Sequence, residues 1–470
     1  MTIQAMSPAD AAWFHNDGPE NPAIVTGVLL TKQPLDYATV RAVYEERLLG
    51  FSRFRQRVVE RGLPMATPHW QDMPHFDIGQ HVHHIALPAP HNEEALRELV
   101  SDIVSTGLDH AIPLWQVYVV DSVDGGSAVI TRCHHCIGDG TAMMTVTRKL
   151  FDAKRGAWKP GPSTTVPPSA EATGFMALAD AVVHGAAHPA EVVTSAGELL
   201  GGAGMLISEL LKRDDPKSPL KGEFSAGKRV AWSRPVAIKD VKAIGALHDA
   251  KVNDVLVAAM TGALRNYLIA RGVDVNHMSL RAMVPVNLRP ASRIGELGNE
   301  FGLVLLELAV STARPDQLLA LTKVRMDALK RSPEPIAARI LLELLGRVPK
   351  AIEDFSNNLF SSKASLVMSN VVGPSQVLYL AGVPIDRMLA WAPHPGRQLG
   401  MAISILSYHG RATLTVACDA HLLPDPEVIT GNFNLEFQRM LACVPSMAAK
   451  AAKATTLKQG AKSSSHLRNG

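Results

Sequence analysis

Cysteine, aromatic residues and net charge are all scarce in this chain. Its 470 residues include only four cysteines, at positions 133, 136, 418 and 443. So few cysteines in so long a chain do not form a disulfide framework, which favours a reducing compartment. Aromatic residues make up 5%, and 47 basic against 44 acidic residues leave a formal net charge of +3. A dedicated nucleic-acid-binding protein would need a dense basic stripe interleaved with aromatic residues, so we expect no nucleic-acid partner.

Long hydrophobic runs are also absent, although 47% of the residues are hydrophobic. A membrane-spanning helix needs about 18 consecutive apolar residues, and no stretch of the sequence provides them. The first residues, MTIQAMSPADAAWFHNDG, carry acidic groups and no long apolar run, which is not the pattern of a signal peptide. We therefore expect a cytoplasmic protein without a membrane span.

The length predicts two domains, because 470 residues exceed what one hydrophobic core usually holds. We expect an N-terminal domain over 1–155 and a C-terminal domain over 227–448. Between them, residues 156–226 begin with a linker rich in Pro, Gly, Ser and Thr and continue as an Ala-, Val- and Leu-rich stretch over 171–211. That stretch is expected to be a helical connector, and the alternative is a helix that lies on a membrane surface. Residues 449–470 are polar and basic, which predicts a disordered tail.

In the N-terminal domain, apolar periodicity predicts strands and helices together. Residues 22–30 are expected to form a strand and 36–48 a helix, while 91–104 form a second helix with Asn92 as its cap. A hairpin is predicted for LWQVYVVD and SAVITRC, two runs rich in β-branched residues that flank an Asp-Gly-Gly turn. This domain therefore has mixed α/β character.

The C-terminal domain has the same character. A long buried helix is predicted to begin at Asn253 or Asp254 and to end at Gly272. The predicted strands cover 279–289, 365–374, 400–410 and 411–419, the last two joined at His409-Gly410. The fold class expected for the whole chain is α/β (α+β).

The densest group of reactive side chains is TRCHHCIGDG, residues 131–140. It leaves a predicted strand and enters a predicted helix, since TAMMTVTRKLF, directly after Gly140, has an apolar helical face. Its two histidines, two cysteines and one aspartate allow three interpretations: a metal site, a redox pair, or a base directed at a substrate.

A metal site is disfavoured because consecutive side chains of an extended strand point to alternating faces. Cys133 and His135 would then point away from His134 and Cys136, and such a set cannot surround one tetrahedral zinc ion. The two remaining cysteines lie far along the chain without finger-like spacing. We therefore predict no metal.

A redox role for Cys133 and Cys136 is disfavoured for a different reason. A reactive C-x-x-C pair has its first thiolate at the N-terminus of a helix. Here the helix is predicted to begin only after Gly140, several residues too late.

The third interpretation takes His134, His135, Asp139 and Gly140 together as an H-H-x-x-x-D-G motif. A histidine at the end of a strand can project its ring into a cleft, and an ordinary pKa of about 6.5 leaves it mostly neutral at pH 7 and able to accept a proton. The aspartate can brace the loop, and Gly138 and Gly140 allow the backbone to turn. The structural alternative, histidines that only satisfy a core, is weaker for the complete motif than for a single histidine.

With this motif the sequence resembles the superfamily of CoA-dependent acyltransferases and condensation domains. More narrowly, it resembles the bacterial wax ester synthase/diacylglycerol acyltransferase family, in the order of motifs from about residue 6 to 430. The other supporting motifs are MSPADAAWF (6–14), FSRFRQRV (51–58), Pro113-Leu114-Trp115, GKRVAWS (227–233), NDVLVA (253–258), VPVNLR (284–289), LGNEFG (297–302) and SNVVGP (369–374).

The resemblance implies two chloramphenicol-acetyltransferase-like domains side by side, with an active-site tunnel between them. It implies an O-acyltransferase that moves a long-chain acyl group from acyl-CoA to a fatty alcohol, a diacylglycerol or both. Acyl-CoA is then a substrate, and no bound cofactor is expected. The lipid substrates imply peripheral contact with the inner face of the membrane or with lipid inclusions.

The resemblance also implies roles for individual residues. The catalytic residues are then His135, His134 and Asp139: His135 is expected to be the general base that takes the hydroxyl proton, and His134 to orient the loop with a lesser chemical role. Asp139 is expected to brace the loop by pairing with an arginine, for which the candidates are Arg53, Arg55 and Arg57.

The remaining candidates bind substrate or support the site. Asn253 and Asn287 are candidate hydrogen-bond donors to the developing oxyanion, and Asn253 is equally a candidate helix cap. The other support residues are Gly140, Asp254 and the motif Pro113, Leu114 and Trp115, which we expect to pack beneath the site.

Other functions remain open at this point. Cys133 would be a nucleophile activated by His135 if it were accessible, although its place inside a strand predicts burial. A condensation-type enzyme would take its acyl group from a carrier protein, and a non-catalytic relative would only bind lipid or CoA. The sequence shows no fused carrier segment, and the complete motif disfavours a non-catalytic relative.

Overall fold

The computed structural model describes residues 3–60, 67–156, 214–290, 293, 295–331, 361–393 and 399–444. The predictions for residues 171–211 and for the tail over 449–470 lie outside these residues, as does most of the predicted linker. The described α-helices are α1 (Pro8–His15), α2 (Tyr37–Val43), α3 (Glu93–Val104), α4 (Gly140–Leu150), α5 (Ile238–Ala246), α6 (Val252–Ala270), α7 (Pro315–Arg331) and α8 (Pro426–Ala442).

The β-strands assemble into three sheets. In chain order they are β1 (Ile3–Ala5), β2 (Ile24–Thr31), β3 (Gln56–Val59), β4 (His69–Asp72), β5 (Val82–Ala86), β6 (Trp115–Val123), β7 (Gly126–His134), β8 (Lys228–Trp232), β9 (Val236–Ala237), β10 (Leu280–Asn287), β11 (Phe301–Leu308), β12 (Leu366–Val372), β13 (Tyr379–Leu380), β14 (Val383–Trp391), β15 (Met401–Tyr408) and β16 (Arg411–Asp419).

The two large sheets both mix parallel and antiparallel pairs. The first has the order β13-β14-β2-β7-β6-β5, and its only parallel pair among the described strands is β5 with β6. The second has the order β11-β10-β12-β15-β16-β8, with β9 beside β16, and its parallel pairs are β10–β12 and β12–β15. A small third sheet has the order β1-β4-β3. The predicted mixed α/β class is confirmed.

The first sheet takes two of its strands from the second half of the chain. β14 pairs antiparallel with β2, from Ile385 opposite Thr31 to Trp391 opposite Thr26. The division into domains over 1–155 and 227–448 stays a prediction. A boundary between these ranges would separate β13 and β14 from the other four strands of the first sheet. The two halves are therefore joined by a shared sheet.

Local sequence patterns correspond to the observed elements. α3 begins after Asn92, whose Oδ1 accepts the backbone N–H of Ala95 at 3.0 Å. The β6–β7 hairpin turns at Asp124 and Gly125, both with positive φ (48° and 81°), which Gly and Asp tolerate. The region predicted as one helix over 36–48 is α2 followed by a π-helical turn over Tyr44–Leu48. These predictions are confirmed, except that the π turn was not foreseen.

The core extends across the junction of the two large sheets. Val28 of β2 and Trp391 of β14 belong to the same buried cluster as Val230 and Trp232 of β8. The two indole rings meet edge to face at 6.0 Å, and Nε1 of Trp391 donates to the carbonyl of Val416 at 3.0 Å. Buried aromatic side chains whose N–H groups are hydrogen-bonded contribute strongly to packing. These contacts therefore hold the two large sheets in a fixed position relative to each other.

Candidate active site

The motif TRCHHCIGDG connects a central strand to a helix. β7 ends at His134, a 3-10 turn spans His135–Ile137, and α4 begins at Gly140. Asp139 caps the helix, because its Oδ1 accepts the backbone N–H of Ala142 at 2.9 Å. The predicted strand–loop–helix setting is therefore confirmed.

The 3-10 turn corrects two expectations about this loop. Strand alternation stops at His134, so the prediction that Cys133 and His135 share a strand face is wrong. Gly138 has φ 170°, an extended conformation open to any residue, so the turn does not need its conformational freedom. Gly138 is needed for close packing instead, because a Cβ there would lie 2.8 Å from the Cβ of Ala142.

His135 is held from several directions. Its ring stacks on the indole of Trp13 with centroids 3.9 Å apart and an interplanar angle of 20°, and Phe301 lies edge-on at 5.9 Å. Its backbone N–H donates to the carbonyl of Ala23 at 2.7 Å, and its own carbonyl accepts from Nδ2 of Asn299 at 2.8 Å. Only 7% of the residue is exposed, so ring and backbone are both positioned by the fold.

Burial lowers the pKa of both motif histidines to about 4. Loss of hydration disfavours the imidazolium cation. The negative charges of Asp139 beside His135 and of Asp17 beside His134 oppose this effect, but burial is the larger cause. Both rings are therefore neutral at pH 7, the state in which a histidine can accept a proton.

Asp139 is the centre of a buried polar network behind the turn. Its Oδ2 accepts from Nη2 of Arg289 at 2.9 Å and from the backbone N–H of Glu300 at 3.0 Å. Arg289 also donates to the carbonyls of Glu296 and Gly298, at 2.9 and 2.7 Å. The guanidinium thus ties the start of α4 to the segment between β10 and β11.

The prediction that Asp139 pairs with Arg53, Arg55 or Arg57 is wrong. These three arginines lie on the short 3-10 turn before β3 and on β3 itself, and two of them donate to glutamine side chains of the third sheet and its surroundings. The actual partner comes from the second half of the chain. No feature of the sequence favours Arg289 over these three arginines as the partner of Asp139, because the pairing depends on how the two halves of the chain pack.

Asp10 and Asn299 also hold the turn, although neither was singled out in the sequence. Nδ2 of Asn299 donates to Oδ1 of Asp10 at 2.8 Å as well as to the carbonyl of His135, and its backbone N–H reaches the same carboxylate oxygen at 3.0 Å. Both side chains are buried. Asp10 and Trp13 belong to MSPADAAWF, and Asn299 belongs to LGNEFG. Their place in these two motifs was the only feature of the sequence that pointed to a role at the site.

His134 supports the turn through its ring. Its Nδ1 accepts the backbone N–H of Cys136 at 3.1 Å, and its own backbone N–H donates to the carbonyl of Leu114 at 2.9 Å. A neutral imidazole that accepts at Nδ1 carries its proton on Nε2. This contact gives a physical basis for the loop-orienting role expected of His134, which stays a prediction.

The motif Pro113, Leu114 and Trp115 lies in the core next to this strand end. All three residues are buried. Trp115 pairs with Cys133 across the hairpin, and its Nε1 donates to the carbonyl of Phe54 at 2.8 Å. The motif therefore packs in the core beside β7 and supports the end of this strand.

Asn253 and Asp254 lie at the start of α6. Asp254 is buried, and its Oδ2 accepts the backbone N–H of Lys251 at 2.8 Å, so Asp254 and not Asn253 satisfies the helix terminus. The alternative of Asn253 as the helix cap is wrong. Its Oδ1 accepts a hydrogen bond from Nδ2 of Asn370 on β12.

Asn287 approaches the motif through Arg289, whereas Gly140 is part of the motif and lies close to β12. Asn287 ends β10, is exposed, and accepts the backbone N–H of Arg289 at 3.0 Å. A Cβ on Gly140 would lie 3.4 Å from Cγ2 of Val371 on β12. Among the described hydrogen bonds, none joins Asn287 or Asn253 to the His135 ring. Their roles as oxyanion donors stay predictions.

The four cysteines are free thiols, and Cys133, Cys136 and Cys418 are buried. Burial raises the pKa of the Cys133 and Cys136 thiols. A nucleophile or a redox pair works as a thiolate, which this environment disfavours. Neither cysteine lies at the N-terminus of α4.

We expect the variant Cys133→Ala to keep the turnover of the wild-type protein. The buried thiol contributes packing and a weak hydrogen bond to the carbonyl of His134, so the cost is stability, on the order of 1 kcal/mol. Initial rates per mole of folded protein test this. Loss of turnover with an intact fold would support an acyl-cysteine intermediate instead.

Three side chains with metal-binding atoms come together among the described residues, Asp17, His110 and His134, with those atoms within 4.8 Å of one another. Nδ1 of His134 accepts an N–H, so Nε2 keeps its proton and has no lone pair for a metal. Binding a metal would break the hydrogen bond that supports the turn. The donor set therefore does not fit a metal ion.

The fold of the chain is the one shared by acyltransferases and condensation domains. A condensation domain of the calcium-dependent antibiotic synthetase has a TM-score of 0.59 at 15% identity, covering 94% of this chain and 96% of that one. A wax ester synthase/diacylglycerol acyltransferase from Marinobacter aquaeolei VT8 has a TM-score of 0.68 at 21% identity, covering 94% of this chain and 100% of that one.

Family comparison makes the assignment narrower. Residues 6–256 match the wax ester synthase/diacylglycerol acyltransferase catalytic domain, and residues 297–441 match the C-terminal domain of that family. A probable diacylglycerol O-acyltransferase of Mycobacterium tuberculosis is 29% identical over 406 residues, covering 81% of this chain and 82% of that protein. The chain belongs to the wax ester synthase/diacylglycerol acyltransferase family, and the prediction of an acyltransferase enzyme is confirmed.

Within the described part of the chain, no helix combines the length and the apolar character needed to cross a membrane.

Proposed function

We propose that this acyltransferase moves a long-chain acyl group from acyl-CoA to the hydroxyl of a long-chain alcohol or a diacylglycerol, with His135 as the general base. The observation that carries the proposal is a buried, neutral imidazole on a braced turn between strand and helix. Such a ring can take a proton in its resting state. The products are wax ester or triacylglycerol.

The proposed chemistry needs a base because an alcohol at neutral pH holds its proton too tightly to attack well. A ring nitrogen of His135 takes the hydroxyl proton while the oxygen attacks the thioester carbonyl. The tetrahedral adduct then expels the CoA thiolate, which receives that proton from the imidazolium. General-base catalysis of this kind contributes about 10²- to 10⁴-fold to the rate.

Asp139 acts in this proposal as a brace and not as a proton relay. Its carboxylate already accepts from the backbone of Ala142 and Glu300 and from Arg289. It is therefore committed to holding the start of α4. Asn253, through Nδ2, and Asn287 are the proposed donors to the oxyanion, a contribution worth about 3 kcal/mol where it has been measured.

We also propose that the protein works in the cytoplasm, at the inner membrane face or at the surface of lipid inclusions. Long-chain alcohols and diacylglycerols partition into lipid, so the enzyme must meet them at an interface. No bound cofactor, metal or nucleic acid has a role in the proposed reaction.

The test measures thiol release from palmitoyl-CoA, with hexadecanol or dioleoylglycerol presented in phospholipid vesicles. We expect release that depends on the acceptor and that is lost in His135→Ala. Sedimentation of the same mixtures measures whether the protein binds the vesicles. Absence of release with either acceptor, from folded wild-type protein, would favour a carrier-bound acyl donor or a non-catalytic lipid-binding role.

A further inference from the structure

Asp17, which lies between α1 and β2, connects an exposed histidine to the turn that carries His135. One carboxylate oxygen, Oδ2, accepts from Nε2 of His110 at 3.0 Å. The other, Oδ1, accepts the backbone N–H of Ala23 at 2.7 Å. The Asp17 side chain is 11% exposed, whereas that of His110 is 44% exposed.

The contact with Ala23 leads to His135. Ala23 is 1% exposed and immediately precedes β2, so the carboxylate fixes the backbone at the start of this strand. The carbonyl of Ala23 accepts the backbone N–H of His135 at 2.7 Å. Asp17 is thus separated from the His135 backbone by a single residue.

A second route passes through His134. Oδ1 of Asp17 lies 3.8 Å from Nε2 of His134, too long for a hydrogen bond but close enough for the carboxylate charge to act on this buried ring. The nearby negative charge favours the proton on Nε2, which leaves Nδ1 free to accept the N–H of Cys136. Both routes therefore end on consecutive amides of the turn, those of His135 and Cys136.

His110 holds the carboxylate in place. Its ring packs against Phe14 at 5.2 Å and meets His134 edge-on at 6.2 Å. The hydrogen bond to Asp17 raises the pKa of His110, which shows that the contact favours the cation. A cation against a partly buried carboxylate is a stronger contact than two neutral groups would make.

We propose that Asp17, anchored by His110, is a positioning residue that sets the place of His135 and the tautomer of His134. The role rests on the proposed function, because it matters for turnover only if His135 is the base. Asp17 touches no reacting atom in this scheme and acts through the backbone. A displacement of about 1 Å at a catalytic group can cost on the order of 100-fold in rate.

The first test compares Asp17→Ala with Asp17→Asn in acceptor-dependent thiol release. We expect Asp17→Ala to lower kcat about 10- to 100-fold, with KM for both substrates little changed. Asp17→Asn keeps an oxygen for the N–H of Ala23 and should recover most of the loss. His110→Ala should lower kcat less than Asp17→Ala. Equal losses in the Ala and Asn variants would overturn the route through Ala23, and a loss that only follows the folded fraction would overturn the whole proposal.

The chain offers a matched control in His84 and Asp121. Nε2 of His84 lies 2.6 Å from Asp121 Oδ2, and the two side chains are 45% and 40% exposed, on β5 and β6 of the same sheet. His84→Ala removes a similar contact away from the turn and should leave kcat unchanged. A drop in kcat equal to that of His110→Ala would show that the effect is not specific to the contact with Asp17, which would overturn the proposal.

A second readout does not need activity. Nitrogen-labelled histidine NMR reports which ring nitrogen of His134 carries the proton. We expect the Nε2–H tautomer in the wild type and a mixed population in Asp17→Ala; an unchanged tautomer would overturn the proposal for this ring. If wild-type protein released no thiol, the proposed function would fail while this measurement still decided the role of Asp17. Loss of activity on chelation, restored by zinc, would instead assign Asp17, His110 and His134 to a metal.

Discussion

The variant His135→Ala is expected to lower turnover by roughly 10²- to 10⁴-fold while the fold stays intact. The expectation follows from the proposed role of the imidazole as the proton acceptor beside the hydroxyl. The ring is stacked on Trp13, so its removal also opens a cavity and costs stability. Rates are therefore compared per mole of folded protein, with KM measured separately. Wild-type turnover in the folded variant would remove His135 from the mechanism.

His81 provides a matched control for the loss of a buried, stacked histidine. It is 1% exposed, and its ring lies 4.4 Å from that of Trp115. Its Nδ1 donates a hydrogen bond to the carbonyl of Trp115 at 2.8 Å. Burial lowers its pKa as it does for His135. His81→Ala should cost stability but leave most of the turnover of the folded molecules. An equal loss of kcat in both variants would attribute the effect to packing.

The pH profile of kcat/KM distinguishes a base from a structural residue. A general base works when deprotonated, so activity is lost as pH falls through its pKa. Burial holds the pKa of His135 at about 4 in the free enzyme, so kcat/KM should stay level from pH 8 to below 6. A decline centred near 6.5 would mean that the ring is hydrated in the free enzyme. The residual activity of His135→Ala should lack the acid limb.

The variant Arg289→Met is expected to lower the free energy of unfolding by about 3–5 kcal/mol, because it leaves a buried carboxylate without its cation. The Arg289 and Asp139 side chains are 1% and 8% exposed, and their atoms meet at 2.9 Å. The variant also loses the donors to the carbonyls of Glu296 and Gly298. The shift in the midpoint of urea unfolding measures the effect.

Two further variants separate this pair from ordinary ion pairs. Arg314 pairs with Asp316 at 2.6 Å, but their side chains are 65% and 33% exposed, so Arg314→Met should cost at most about 1 kcal/mol. Adding Asp139→Asn to Arg289→Met removes the orphaned charge and should restore part of the lost stability. Equal effects of Arg289→Met and Arg314→Met would contradict the buried network.

Elements that depend on local sequence could be predicted well. The β6–β7 hairpin follows from its Asp-Gly turn and alternating runs, and α3 follows from Asn92 and apolar spacing. The same logic placed the motif between a strand and a helix. Prediction failed inside the loop, because the 3-10 turn over His135–Ile137 depends on contacts with Asn299 and Ala23 from other elements.

The sequence by itself determined the local setting of the motif, a histidine pair ahead of a capped helix, in a mixed α/β chain of the family to which it belongs. Those features arise from short-range backbone preferences and from motif order. Only the tertiary structure decided that Arg289 and not Arg53, Arg55 or Arg57 pairs with Asp139. It also decided that β14 joins the first sheet. Such pairings join residues more than a hundred positions apart, and the packing of the two halves, not local propensity, selects among equivalent side chains.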